Sequence, residues 1–173
     1  MRASDFDERY DFYYDGSQPA KRVRRGKESR HFQWPRGWRK LALSVEGLYR
    51  GGDRWLDRDN GWSVAFHGTV GDRQAIKDIV RSGFKVKGGK SKARNGQLFG
   101  AGVYVSPDPE AAAGYAELEA LETLDGERWY VVFQVRVRPG CYTKRWHDRD
   151  QAYCWVVPDE DDVRPCGIML RRA

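Results

Sequence analysis

The sequence contains no apolar run approaching the ~18 residues that a membrane-spanning helix needs. Its first residues, MRASDFDERY, are charged and lack an apolar centre, so no signal peptide is expected. Cysteine is scarce: Cys141, Cys154 and Cys166 are the whole complement. Their spacings fit no zinc pattern, and an odd number makes a poor disulfide framework. Reduced thiols, no bound metal and an intracellular setting, cytoplasmic or nuclear, are the expectation. No internal repeat is present. A strong charge bias is also missing, since 31 basic residues stand against 25 acidic ones, a net of +6. That mild excess permits an anionic partner such as a nucleic acid or a nucleotide without demanding one. No membrane partner is expected.

What remains suits one globular domain: 173 residues, 40% hydrophobic and 32% charged. Residues 1–33 stand apart from the rest. "DFDERYDFYYDG" is acidic and aromatic, and "SQPAKRVRRGKESR" is polar and basic. Neither shows a helical or strand period, which reads as a mobile arm. Its aromatics, Phe6, Tyr10 and Phe12 to Tyr14, leave docking onto the domain open. Much of the positive charge lies in "KRVRRGK", residues 21–27, and in Arg36, Arg39 and Lys40. The run reads either as a solvated arm or as a contact for an anion.

Residues 34–173 read as a single unit. Trp38, Leu41, Ala42, Val45 and Leu48 or Tyr49 recur at helical spacing, which predicts a helix over 37–49. A short strand is expected at 62–66. A helix comes next in "GDRQAIKDIVRSGF", capped by Asp72, with Ile76, Ile79 and Val80 as its apolar stripe and Gly83 as its stop. The glycine-rich basic loop "KVKGGKSKARNGQLFGAG" has the length of a functional or mobile segment. "GVYVS" predicts a strand over 102–106, and Pro107 and Asp108 open a helix in "DPEAAAGYAELEALETL". In "ERWYVVFQVRVR", Trp129, Val131, Phe133, Val135 and Val137 alternate, which predicts a long strand with one face in solvent. "CYTKRW", "YCWVV" and "CGIML" are further strands. The sum is an α+β fold with two or three helices.

The first strand runs into His67-Gly68-Thr69. Alone, that triplet favours a structural histidine in a turn. The order of the downstream segments changes the reading. Gly102-Val103-Tyr104-Val105-Ser106 forms the second strand, Tyr115 stands eleven residues after Tyr104, and a strand pair closes the chain. This order resembles the poly(ADP-ribose) polymerase-type (His-Tyr-Glu) branch of the ADP-ribosyltransferases, over residues 34–173. The resemblance implies a split β-sheet core and NAD as co-substrate. It implies cleavage of the nicotinamide–ribose bond and passage of ADP-ribose to a protein or nucleic acid acceptor. By resemblance, Gly68 would offer N–H and C=O to the nicotinamide carboxamide at a close approach that a side chain would block. His67 would bond the adenosine ribose 2′-OH, and Thr69 would support the nicotinamide ribose or orient His67. Tyr104 and Tyr115 would sandwich the nicotinamide ring. Gly102 and Ser106 fall at cofactor-binding positions, and the basic loop Lys85–Arg94 would meet the pyrophosphate or the acceptor. Each tyrosine also has a plain reading as a core residue.

The pattern breaks at the family's glutamate, which polarises the nicotinamide ribose and stabilises an oxocarbenium-like transition state. Aligned through the next three residues, Trp-Val-Val, that position is Cys154 in "DQAYCWVVP". A thiol is a weak donor and acceptor. A shift of one or two residues brings in Gln151 or Tyr153 instead, and the nearest carboxylates are Asp148, Asp150 and Asp159. Ala112 stands where the family often has a serine. The expectation is a mono-ADP-ribosyltransferase with His67, Tyr104 and Cys154 at the reacting centre. The alternative is a catalytically impaired module of that fold, binding a nucleotide, ADP-ribose or RNA. A third, removal of an RNA 2′-phosphate, needs an arginine–histidine set that the sequence does not reveal.

Overall fold

The computed structural model describes residues 1–19, 21–25, 28–86, 99–147 and 152–173, without the side chains of residues 25 and 28–31. In chain order the strands are β1 (Phe12–Tyr13), β2 (Lys21–Arg25), β3 (Glu28–Phe32), β4 (Arg39–Ala42) and β5 (Ser63–Thr69). Helix α1 (Arg73–Ser82), strand β6 (Val103–Val105), helix α2 (Pro109–Ala116) and strand β7 (Leu121–Glu122) come next. The chain closes with β8 (Arg128–Val137), β9 (Thr143–His147), β10 (Ala152–Val157) and β11 (Val163–Arg172). The main sheet has the order β1-β4-β11-β8-β5, with β7 also on β8. A second sheet has the order β6-β10-β9, and β2-β3 is a separate two-stranded ribbon. Every pairing is antiparallel, so the class is α+β, as the sequence implies.

The centre of the fold is β8, the long alternating run, held between β11 and β5. Val131, Phe133, Val135 and Val137 enter a core with Ile76, Phe84, Val105, Trp155 and Val157. The other face is not in solvent, contrary to expectation. Val132 packs with Trp38, Phe66, Met169 and the alanines of α2, and Gln134 is buried with its amide on the Tyr14 hydroxyl at 3.5 Å. Each strand face therefore has its own cover, α2 with the N-terminal segment on one side, α1 and the second sheet on the other.

The predicted helix over 37–49 is instead strand β4 followed by turns. Ala42 and Leu41 pair with Gly167 and Ile168 of β11, while Lys40 and Arg39 pair on the other edge with Phe12 and Tyr13 of β1. Trp38 is buried against α2, whereas Leu43 and Val45 enter the opposite core. Apolar residues sent to both sides of a sheet, from a strand's flanks as well as the strand, lose the two-residue alternation and then mimic a helical period. The helix predicted after Pro107 ends early, at Ala116, because Leu121–Glu122 pairs with Trp129 and Arg128. Helix α1 forms as expected, with the Asp72 carboxylate accepting from Gln74 and Ala75 N–H and Gly83 at φ 71°.

Of the N-terminal arm, residues 1–14 lie on the sheet. Tyr14 is 6% exposed and its N–H donates to Trp38 O at 3.0 Å. β1 is itself an edge strand of the main sheet. At the far end of β11, the Arg164 guanidinium lies 4.4 Å from the ring centroids of both Tyr49 and Trp62. Its cross-strand partner Arg136 donates to Trp62 O and Leu56 O. Two arginines thus pin the long turn region 47–62 through its aromatics and carbonyls.

Candidate functional site

The His-Gly-Thr triplet lies inside β5 rather than after it, because β8 continues opposite: His67, Gly68 and Thr69 pair with Phe133, Val132 and Val131. In an antiparallel ladder, alternate residues direct both N–H and C=O to the same neighbour. Phe66 directs both away from β8. Its N–H donates to Ser106 O and its C=O accepts from Ser106 N–H, each at 2.8 Å. Among the described residues, this one bridge joins the main sheet to the β6-β10-β9 sheet. Gly68, two residues on, directs its N–H and C=O to the same outer edge.

An uninterrupted ladder would bring Tyr104 beside Gly68, and the Tyr104 carbonyl would accept from Gly68 N–H. That carbonyl instead lies 2.8 Å from His67 Nδ1. A carbonyl only accepts, so Nδ1 carries the proton and Nε2 is the ring's acceptor. The imidazole takes over the bond that would have zipped β6 onto β5. The strands part after one bridge, and among the described residues no partner remains for the Gly68 peptide groups. Side-chain alternation puts His67 on the face of Phe84, 4.8 Å between ring centres, and Gly68 on the face of α2.

Helix α2 presses directly on Gly68. A Cβ built there would stand 1.9 Å from Ala112 O and 2.9 Å from Tyr115 Cβ. The helix is small-sided at this contact, and Ala112, Ala113 and Ala116 are all buried, which lets Tyr115 come close to the open edge. Ala112, the expected serine position, is part of this packing. Gly102 has a comparable duty in the second sheet, where an added Cβ would meet Val156 Cγ1 and Val157 O at 2.8 Å.

Tyr104 is tied by its hydroxyl. Tyr104 Oη donates to Gly100 O at 2.6 Å and accepts from Phe99 N–H at 2.9 Å. Its ring lies near-parallel to Phe99, at 6.4 Å. Phe99 meets His147 at 6.1 Å, and His147 meets Tyr115 at 6.5 Å. Rings thus run continuously from Tyr104 to Tyr115. Phe99 and His147 were not among the expected site residues. His147 stands after Trp146 at a strand end and has no period or motif to mark it.

Cys154 pairs with Arg145 of β9, and Val156, two residues on, pairs with Tyr104. Alternation therefore puts Cys154 on the strand face that carries Tyr104, Arg145 and His147. Tyr153 faces the other way, 54% exposed and edge-on to Trp146. Between these two, Cys154 is the one beside the ring series; its Sγ lies 3.8 Å from Trp155 O. Gln151, Asp148 and Asp150 lie outside the described residues. Asp159 caps a short 3-10 turn by accepting from Asp161 N–H. Ser106 has a structural task, its hydroxyl donating to Tyr153 O and accepting from Asp108 N–H. The buried Thr69 hydroxyl reaches its neighbour's carbonyl, Val70 O, at 3.4 Å. Of the basic loop Lys85–Arg94, Lys85 is ion-paired with Glu160 at 2.9 Å, and residues 87–94 lie outside the described residues. Among the described residues no cluster of ligating side chains suits a metal ion, and no helix is long and apolar enough to cross a membrane.

Burial pushes the His67 imidazole below the ordinary value of 6.5, against a smaller opposing effect of the Tyr104 carbonyl. The unfolded chain then binds this proton more readily than the folded one. Stability carried by neutral His67 is complete above pH 6.5 and is lost as pH falls through 6.5 toward the folded value. A His67→Gln variant is expected to lose less stability between pH 7 and pH 5 than the parent. Urea midpoints at the two pH values check this; an equal loss in both proteins would contradict it.

No protein-family model matches this chain, and a search of curated proteins finds no match to it.

Proposed function

We propose that this chain binds NAD along the open edge of β5 and transfers a single ADP-ribose unit to an acceptor, a protein side chain or a nucleic acid. The observation that carries the reading is the Gly68 N–H and C=O, unshared among the described residues, with Tyr115 against its backbone and Tyr104 held by the neighbouring His67. A carboxamide offers one acceptor and one donor, the complement of that peptide pair. A flat heteroaromatic ring attached to it would lie among Tyr104, Phe99, His147 and Tyr115, where stacking supplies affinity. His67 Nε2, unprotonated at neutral pH, accepts from a ribose hydroxyl. Among the described residues, the main sheet and the β6-β10-β9 sheet meet at one bridge, which supports the split core that the resemblance implies.

NAD supplies a ribosyl C1′–nitrogen bond that breaks with its electron pair leaving on neutral nicotinamide, while the acceptor's oxygen or nitrogen bonds C1′ and releases its proton to solvent. The chain's part is to hold the carboxamide at Gly68, fix the ring among the aromatics and exclude water behind Phe84. Lengthening a poly(ADP-ribose) chain is not expected, since residues 152–157 contain no carboxylate.

One observation favours a second reading. Cys154 has a cation, Arg145, as its cross-strand partner. Positive charge there opposes the charge developing on the ribose when the bond breaks, yet it suits a phosphate. On that reading the cleft holds a nucleotide or ADP-ribose without cleaving it. Both readings predict that NAD or ADP-ribose stabilises the fold. At 100 times Kd the gain is about 2.7 kcal/mol, or roughly 5–10 °C in Tm for a domain of this size. Thermal melts with and without each ligand test this. Stabilisation by neither would remove both readings, and nicotinamide release separates them.

A further inference from the structure

The basic run "KRVRR" is not a featureless arm. It is strand β2, paired along its whole length with β3 in the register Lys21↔Phe32, Arg22↔His31, Val23↔Arg30, Arg24↔Ser29 and Arg25↔Glu28. Neither strand belongs to the other sheets. Five residues per strand give the ribbon a length of about 17 Å. Arg22 and Arg24, on one face by alternation, are exposed. Two-stranded ribbons are marginally stable alone, and this one is rooted in the domain. Phe32 packs on Trp34 at 4.8 Å and Phe66 at 6.5 Å, and Trp34 Nε1 donates to Pro19 O at 2.8 Å. With its amide turned to donate, Gln33 reaches both Asp108 carboxylate oxygens at 3.1 and 3.2 Å. Both anchors belong to the candidate site. Phe66 precedes His67, and Asp108 caps α2, the helix that carries Tyr115.

We propose that the β2–β3 ribbon grips the phosphate backbone of a nucleic acid and presents that nucleic acid to the cleft as the acceptor. The grip stands on the ribbon alone; the acceptor role rests on the NAD reading above. The ribbon's chemistry selects this class of partner. Its cations are mostly arginine, whose planar fork matches phosphate oxygens in pairs. A two-stranded ribbon also has the cross-section to enter a nucleic acid groove. A lipid surface fits less well, because bilayer binding needs apolar groups to insert. The ribbon's apolar residues, Val23 and Phe32, are instead half-buried.

The test uses the full chain and short fluorescein-labelled RNA and DNA oligonucleotides, single-stranded and duplex, titrated across salt concentrations without NAD. Binding is expected to weaken linearly in log–log form with salt. Arg22→Gln/Arg24→Gln should weaken binding to every sequence and lower the salt slope by about two, one for each lost phosphate contact. Lys21→Gln, which alternation puts on the opposite face with Val23 and Phe32, is the control and should leave the slope unchanged. Unchanged affinity and slope in the arginine variant would overturn the grip, as would a loss in Lys21→Gln equal to that of the arginine variant. So would preferential binding to phosphatidylserine vesicles or to an acidic peptide that displaces the RNA. The acceptor half is read separately, by mass spectrometry of the bound oligonucleotide after NAD is added. Modification lost with the arginine variants supports it. A protein modified while bound nucleic acid stays unmodified would overturn it. Absent nicotinamide release, with the salt-dependent grip intact, points to failure of the NAD reading and leaves the grip standing.

Discussion

Gly68→Ala is expected to cost about 3 kcal/mol, the upper end for forcing an extra carbon into a packed interior, and to lower Tm by roughly 6–12 °C. The reason is local. The added Cβ would stand 1.9 Å from the Ala112 carbonyl oxygen and 3.0 Å from its carbon, and these are backbone atoms of a helix that cannot turn aside as a side chain does. Relief requires α2 to lift off β5, which opens the contacts of Ala112, Ala113 and Ala116 with Phe66 and Val132. It also carries Tyr115 away from the open edge, so ligand-linked stabilisation should disappear with the lost stability. Thermal and urea melts with and without NAD measure both effects. A Gly68→Ala protein as stable as the parent would show that α2 does not rest on this glycine. Gly114→Ala is the control: a Cβ there meets nothing within 4 Å, and a helical glycine replaced by alanine gains up to about 1 kcal/mol.

His67→Ala is expected to act on the ligand as well as on the fold, which loses the ring packed on Phe84 and the bond to Tyr104 O. On the proposed NAD reading, losing a hydrogen bond to a ribose hydroxyl and leaving its partner unmet costs about 1–3 kcal/mol of affinity, roughly 5- to 150-fold in Kd. The second effect is specific to this sheet. Without the imidazole the Tyr104 carbonyl is released, and it becomes free to accept from Gly68 N–H as an ordinary ladder would have it. Closure of β6 onto β5 would fill the cleft with a backbone hydrogen bond. The expected signature is slower amide exchange at Gly68 in the variant than in the parent, alongside weaker NAD binding by calorimetry. Faster exchange at Gly68 would mean that His67 supports the edge rather than holding it open. Unchanged NAD affinity would remove His67 from the site.

Parts of this were legible from residue patterns and parts were not, for physical reasons. Helix α1 announces itself because cap, stripe and stop are all local: Asp72, then Ile76, Ile79 and Val80, then Gly83. Strand β4 does not, since its partners β1 and β11 lie about thirty positions before and over a hundred after it; the apolar residues around it go to opposite sides of the sheet, Trp38 to one and Leu43 and Val45 to the other, which erased the period that would have named it. The triplet His67-Gly68-Thr69 drew attention by its order with Tyr104 and Tyr115. What makes Gly68 available, however, is a property of the sheet. It depends on which edge of β5 stays unpaired among the described residues, and there that is set by the bridge between Phe66 and Ser106. His147 and Phe99 were missed because aromatic side chains on unpatterned segments gain meaning only when folding brings them to Tyr104 and Tyr115. The glutamate position was read by alignment to Cys154, and strand alternation puts that residue, not Tyr153, on the face of Tyr104.

The central claim is that the open edge of β5 holds NAD so that ADP-ribose is transferred from it. The most direct measurement incubates the full chain with NAD, an RNA oligonucleotide and protein acceptors, then tracks free nicotinamide and acceptor mass together. The account predicts nicotinamide release matched by a single ADP-ribose unit on an acceptor, both lost in Tyr104→Ala. No nicotinamide and no change in acceptor mass, from a protein whose melt shows it folded, would contradict it.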